Sequence, residues 1–227
     1  MARTLNSTAY ALRRDEILDV AERLMRVDGY ERMTVQDILD ELGVSKGAIY
    51  HYFDSKEALL EAVIARMADS GFALIAPIVD DPSLSALAKL QAVFSTAGRW
   101  KAERSDMLLS LARAWYSDRN DLVRLRLARA TEPRFTPSLV RIVRQGTAEG
   151  VFDPTAPEQT ASVLVALLIG SGDAIGRLLI DRLDGLVPFE EAERFIAAYA
   201  EAIERILGLP ERSFVLVDDT AMHVWFA

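Results

Sequence analysis

The sequence predicts an all-α fold in two parts, a three-helix head over residues 1–56 and a larger helical body over residues 57–227. Three observations predict it. Apolar residues recur at spacings of three and four along nearly the whole chain, the mark of amphipathic helices, and no period-two alternation interrupts them before the C-terminus. Capping residues, glycines and prolines punctuate these stripes at plausible helix ends. Residues 34–56 compress two short capped helices and the start of a third into one stretch. With 51% hydrophobic residues, the 227-residue chain can bury a substantial core.

In chain order, residues 1–8 are polar and include Arg3, and the first helix is expected over residues 10–28. Ile17, Val20, Ala21 and Leu24 form its buried stripe, and Gly29 ends it. Thr34 is the N-cap of the second helix, because its hydroxyl can accept an orphan backbone N–H. Asp37 stands where it can reach back, a variant of the capping box, and Met33 with Ile38 is spaced as a hydrophobic staple. Val35, Ile38, Leu39 and Leu42 keep helical spacing until Gly43 supplies a left-handed stop. Ser45 is read as the next N-cap, with Val44 and Ile49 as a second staple. Ile49 and Phe53, four apart, make a buried stripe. Lys46, Gly47, Tyr50 and His51 fall on the opposite side, flanked by Ala48. Ser55 caps a fourth helix, with Lys56 at its first position.

That fourth helix is expected to run through Leu59, Leu60, Val63, Ile64 and Met67 and to stop at Pro77. Asp80, Asp81, Pro82 and Ser83 form a linker. Helices are expected near 84–102, 105–117, 119–131, 134–149, 157–182 and 188–208. Their breaks lie at Asp118, Arg119 and Asn120, at Pro133 and Pro137, and in the Gly- and Pro-containing residues 146–157. Phe94, Trp100, Met107, Trp115, Tyr116 and Phe135 are large side chains in this middle region. With Arg99, Arg113 and Asp173 they read either as an apolar pocket with a few polar groups or as ordinary core. Residues 163–179 and 192–207 carry broad apolar faces, and Gly172 and Gly176 sit one turn apart. Such helices pack either within one chain or, two from each of two chains, as a four-helix bundle. In the tail, residues 214–217 favour a strand and Asp218 with Asp219 a turn. The apolar end is expected to cover the body or a dimer surface.

Composition narrows the function classes. The chain has no cysteine, which excludes disulfides, thiol chemistry and cysteine-ligated zinc. His51 and His223 are its only histidines, so no metal site and no Ser/His/Asp or Cys/His set is expected. No Gly-rich phosphate loop follows a strand, and the paired Glu190 and Glu191 sit at a helix start, where acids suit the dipole. No catalytic residue and no cofactor is expected. The first fifteen residues lack the apolar core of a signal peptide. The apolar run 163–172 falls short of the roughly 18 residues that a membrane helix needs, so a cytoplasmic protein away from membranes is expected.

The chain carries net charge −8, of which residues 1–56 hold only −2, and no acid occurs in residues 43–53. A short helix with a small, hydrogen-bonding head and no acidic neighbours suits entry into a DNA major groove, and an acidic body would be held off the duplex. Residues 1–8 then read as a basic arm along a minor groove or as a solvated tail. The competing reading is a plain three-helix bundle, or a helical module that binds protein instead of DNA; salt-sensitive duplex binding separates them.

Residues 14–62 resemble the N-terminal domain of the TetR family of bacterial transcriptional repressors. The features that carry the resemblance are ILDVAERLM ending at Asp28, Gly29 and Tyr30, the cap of Thr34 and Val35, and GVSKGAIYHYF followed by SKEAL. The resemblance implies an all-α protein with a helix-turn-helix DNA-binding domain over 1–56 and a ligand-binding and dimerisation domain over 57–227. It implies a DNA interface made of Thr34, Ser45, Lys46, Gly47, Ala48, Tyr50, His51, Tyr52 and Lys56. Of these, Lys46, Gly47 and Ala48 lie near base edges and Lys56 helps a helix N-terminus hold a phosphate. It further implies a homodimer through the helices near 157–182 and 188–208, a palindromic double-stranded operator, and release by a small-molecule effector, whose partly apolar character is read from the large side chains of the middle region.

Overall fold

The computed structural model describes residues 2–116 and 121–226, with side chains from Thr8 onward except those of 122 and 123. Ten α-helices occur among them, and no strand. The chain divides into two compact units. One comprises Met1–Asp69 with Asp106–Val123, the other Ser70–Ser105 with Arg124–Ala227.

The first unit holds α1 (Ala2–Asp28), α2 (Val35–Leu42), α3 (Lys46–Tyr50), the opening of α4 (Lys56–Asp80) and most of α6 (Ser105–Trp115). α1 starts eight residues earlier than its apolar stripe suggested. The reason is that residues 2–9 lack a stripe but also lack any Gly or Pro to forbid a helix. The side chain of Arg3, and with it the arm reading, lies outside the described residues. Gly29, at φ +79°, ends α1, and its N–H bonds back to the Met25 carbonyl at 3.1 Å. Ile17, Leu18, Met25, Met33, Ile38, Ile49, Leu59 and Leu60 are nearly inaccessible. Arg66 of α4 fastens onto α1 through Glu22 (2.6 Å) and Asp19 (2.7 Å). The Ser110 hydroxyl of α6 donates to the Met25 carbonyl at 3.3 Å.

The second unit contains the rest of α4, α5 (Ala86–Ala102), most of α7 (Asp121–Ala148), α8 (Pro157–Leu183), α9 (Phe189–Leu207) and α10 (Asp219–Phe226). Its core draws on every one of these helices but the last, with Val79, Leu90, Ile142, Leu164 and Leu207 among its buried members. Two expected breaks are absent. α4 runs through Pro77 to Asp80, and α7 is one helix with Pro133 and Pro137 inside it. All three prolines are exposed, so each missing backbone hydrogen bond falls on a side where water can replace it. Buried Val79 in α4, and Leu139, Ile142 and Val143 in α7, hold the opposite faces in place. The expected break at Asp118, Arg119 and Asn120 lies outside the described residues.

The tail also departs from expectation. Residues 214–217 form no strand, because side chains take their backbone groups. The Glu204 carboxylate, 5% exposed, accepts from the N–H of Arg212 (3.1 Å) and of Phe214 (2.9 Å). The Gln91 amide donates to the Val215 carbonyl and accepts from its N–H, both at 3.0 Å. Asp218 is not simply a turn residue: its carboxylate accepts from Ala221 N–H at 2.8 Å and starts α10. Phe214, Met222 and Phe226 are buried, so the tail packs on the body, one of the two places open to it.

By length and composition, α4 and α8 are each apolar enough to cross a membrane, which the short run 163–172 did not suggest. Only 22% of the most apolar stretch of α8 is buried within the chain. An apolar helix so little covered has a face that the chain itself does not use.

Candidate nucleic-acid interface

The head is built around closed helix ends. Thr34 has extended backbone, its hydroxyl accepts from Asp37 N–H at 3.2 Å, and the Asp37 carboxylate accepts from Thr34 N–H at 2.7 Å. This is a full capping box, and the bonds donated to the Asp37 carboxylate by the Thr34 N–H and by the Thr34 hydroxyl (2.8 Å) hold the carboxyl below its ordinary pKa. Gly43 adopts φ +62°, and its N–H and that of Val44 both close on the Leu39 carbonyl. The chain then turns directly into α3.

α3 is only five residues long, too short to persist by propensity alone. It is held by Ile49 (2% exposed) and Phe53 (5%) in the core of the head. That seating turns Ser45, Lys46, Gly47, Tyr50 and His51 to solvent, with Ala48 and Tyr52 half-covered. Ser45 has the extended backbone of an N-cap but makes no side-chain cap bond. Its carbonyl alone closes the first turn, onto Ala48 N–H at 2.9 Å. The expected hydroxyl cap is therefore corrected, and the hydroxyl stays on the exposed surface.

Aromatic rings frame the end of this helix. Tyr10 of α1 lies 4.6 Å from the Tyr52 ring and 5.7 Å from His51, and His51 packs edge-on to Tyr52 at 5.2 Å. Tyr10 was not among the expected interface residues. Its spacing of three from Arg13, four from Arg14 and seven from Ile17 is the available signal. Lys46 reaches over the Tyr50 ring at 5.6 Å, and Arg14 over Phe53 at 5.3 Å. Lys56 begins α4 beneath Ser55, whose hydroxyl accepts from Ala58 N–H at 3.1 Å. Its ammonium donates to the Glu31 carbonyl at 3.1 Å and sits 4.4 Å from the centre of the Tyr30 ring. Burial, aided by Glu57 and Glu31, pushes the Tyr30 hydroxyl up to about 12.

The head's acids are largely occupied by the head itself. Arg66 takes Asp19 and Glu22, Arg13 takes Glu16, Arg23 takes Glu41, and Gln36 donates to Asp40.

The residues considered for an effector pocket fall into separate groups. Met107, Trp115 and Tyr116 belong to the first unit; Phe94, Trp100, Phe135 and Asp173 belong to the second. Within the second, Phe94 packs edge-on to Phe214 at 5.1 Å, Trp100 lies under Arg104, Phe135 meets Phe72, and Asp173 pairs with Arg124 and Arg177. An open groove of about 730 Å³ on this unit, edged by Pro133, Pro137, Arg141 and Ser162, includes none of them.

Residues 17–63 match the family model described as bacterial regulatory proteins, tetR family. The chain is 30% identical over 148 residues to the HTH-type transcriptional repressor KstR2 of Mycolicibacterium smegmatis, covering 63% of this chain and 69% of that protein. To the KstR2 of Rhodococcus jostii it is 36% identical over 85 residues, spanning 37% of this chain and 41% of that protein. Its fold matches a transcriptional regulator of the TetR/AcrR family from Thermobifida fusca with a TM-score of 0.53 and 28% identity, over 69% of this chain and 82% of that one. With the capped helix-turn-helix and the wholly helical body already described, these likenesses place the chain: it belongs to the TetR family and is a helix-turn-helix, DNA-binding transcriptional regulator, not an enzyme.

Proposed function

We propose that the protein is a homodimeric, cytoplasmic repressor that binds a palindromic operator and is released by a partly apolar small molecule. The observation that carries the reading is α3, whose exposed Lys46, Gly47, Tyr50 and His51 stand on a buried Ile49 and Phe53 without an acid among them. In this reading Lys46, Gly47 and Ala48 approach base edges. Thr34, Ser45, Tyr50, His51, Tyr52 and Lys56 hold phosphates. Repression is favoured because both KstR2 relatives are named as repressors.

Dimerisation is favoured by surfaces that one chain leaves open. Val163, Ala166 and Gly170 of α8 and Phe195 and Ala198 of α9 are exposed. A Cβ built at Gly170 would meet nothing within 4 Å, so packing inside the chain gives no reason for a glycine there. Close approach of a second helix does. Two heads on a two-fold axis then read two half-sites about one helical turn apart. In functional terms the division falls at residue 56, with the effector-binding and dimerisation part beyond it. An effector acts by preferring one spacing of the heads over another.

The test is selection of bound duplexes from a random pool at two salt concentrations. An enriched inverted repeat, bound more weakly as salt rises, is the expected result. A folded, dimeric protein that enriches no sequence would sink the operator reading.

A further inference from the structure

Most exposed arginines of the second unit already have partners. Arg141 pairs with Asp80 at 2.5 Å, Arg177 with Asp173 at 3.1 Å, Arg144 with Glu158, and Arg205 with Glu201. Arg126 and Arg129 differ. They are exposed, one turn apart in the first third of α7, and neither has an ion-pair or hydrogen-bond partner among the described residues. Leu125, 46% exposed, and exposed Ala130 adjoin them. The same unit carries the opposite patch. Glu190, Glu191 and Glu193 open α9, all exposed and with no side-chain partner among the described residues. Arg194 is the one cation beside them, and Phe195, 36% exposed, follows.

We infer that these two patches meet across the two-fold axis of the dimer, Arg126 and Arg129 of one copy against the α9 glutamates of its partner. The inference rests on the dimer reading and adds to it the contacts that set its register. Symmetry makes the pairing occur twice, because a two-fold contact that joins residue i to residue j also joins j to i. The helix dipole accounts for acids in the first turn of α9, but nothing within α7 accounts for two unpartnered cations. A second copy supplies the counter-charge directly, since residues 57–227 carry net −6. Each patch borders an exposed apolar side chain, which is the arrangement of a charged rim beside an apolar centre. Such a rim steers assembly, fixes register, and rejects partners of the same fold whose charges do not match.

The experiment is a dimer dissociation constant from sedimentation equilibrium for three full-length variants and the parent, with helical content checked by circular dichroism. The first variant is Arg126→Glu with Arg129→Glu. The second is Glu190→Lys, Glu191→Lys and Glu193→Lys. The third combines both. Each reversal alone is expected to weaken dimerisation about tenfold or more at low salt, because like charges then face each other. The combination should recover most of the loss, and the differences should shrink as salt screens them. A parent that dimerises, with singles unchanged or with no recovery in the combination, would overturn the inference and leave the dimer standing. A parent monomeric at every concentration would overturn the dimer reading and this inference together. Lost duplex affinity with dimerisation intact would assign the arginines to nucleic acid and overturn it as well.

Discussion

The head and the body solve the problem of ending a helix differently. In the head, each end is closed locally. Thr34 and Asp37 bond each other reciprocally, Gly43 takes the left-handed turn, and the Ser55 hydroxyl starts α4. In the body, local closures such as the Ser85 hydroxyl on Ala88 N–H, the Asp218 carboxylate on Ala221 N–H and the left-handed Gly208 are joined by groups far away in sequence. Glu149 accepts from Ala86 N–H at 2.9 Å to start α5, and Glu204 and Gln91 hold the tail. A helix of only five residues, such as α3, needs a rigid frame close by in the chain. The body is built from long helices whose mutual contacts matter more than their ends.

The largest effect that would break this comparison is at Ile49. Its replacement by Ala removes the main anchor of α3, and the head should lose about 2–4 kcal/mol, measured by urea unfolding. Duplex binding should fall with it. A variant of unchanged stability would mean that caps, not burial, hold α3. In the body, Gly146→Ala should cost about 1–3 kcal/mol, because a Cβ there would lie 2.1 Å from the Phe152 ring. An unshifted thermal midpoint would show that this ring is free to move aside.

Smaller effects sharpen the contrast. Thr34→Ala should cost about 1 kcal/mol through the lost capping box. The same pair gives a pH signature. Because the Asp37 carboxyl is depressed by its bonds to Thr34, its stabilisation is present above the ordinary carboxylate range and is lost as pH falls through the lower, folded-state value. Acid titration of stability should lose this component in Asp37→Asn, and an identical acid limb in the variant would remove Asp37 from the account. Least visible in stability is Lys56→Ala. It should lower the slope of log affinity against log salt by about one. An unchanged slope would leave the Lys56 ammonium on the Tyr30 ring and the Glu31 carbonyl when DNA is bound.

The same local-versus-distant distinction explains what was legible in the sequence. The Thr34 box, the Gly43 stop and the Ile49 and Phe53 stripe are set by neighbours three or four residues away, so spacing reveals them. Pro133 and Pro137 were read by their missing N–H alone; whether a proline breaks a helix depends on which face it occupies, and here that face is wet. The α10 helix had a readable signal in Asp218 followed by Ala221, Met222, Trp225 and Phe226, but a strand-like apolar run just before it drew the reading away. The grouping of Phe94, Trp100, Phe135 and Asp173 into separate contacts depends on helix packing, which no spacing encodes. Tyr10 shows the same limit, since its partners lie forty residues on.

The buried tail bears on the order in which the protein is made. Phe214 belongs to the core that α4, α5, α7, α8 and α9 share, and Met222 and Phe226 are buried behind it. The body therefore cannot finish its interior until residues 214–226 have left the ribosome, whereas Ile49 and Phe53, which seat α3, emerge well before them. A chain interrupted before Phe214 would carry a completed α3 on an unfinished body. Truncation ahead of Phe214 should act on the lifetime of the regulator in the cell more than on what its head recognises.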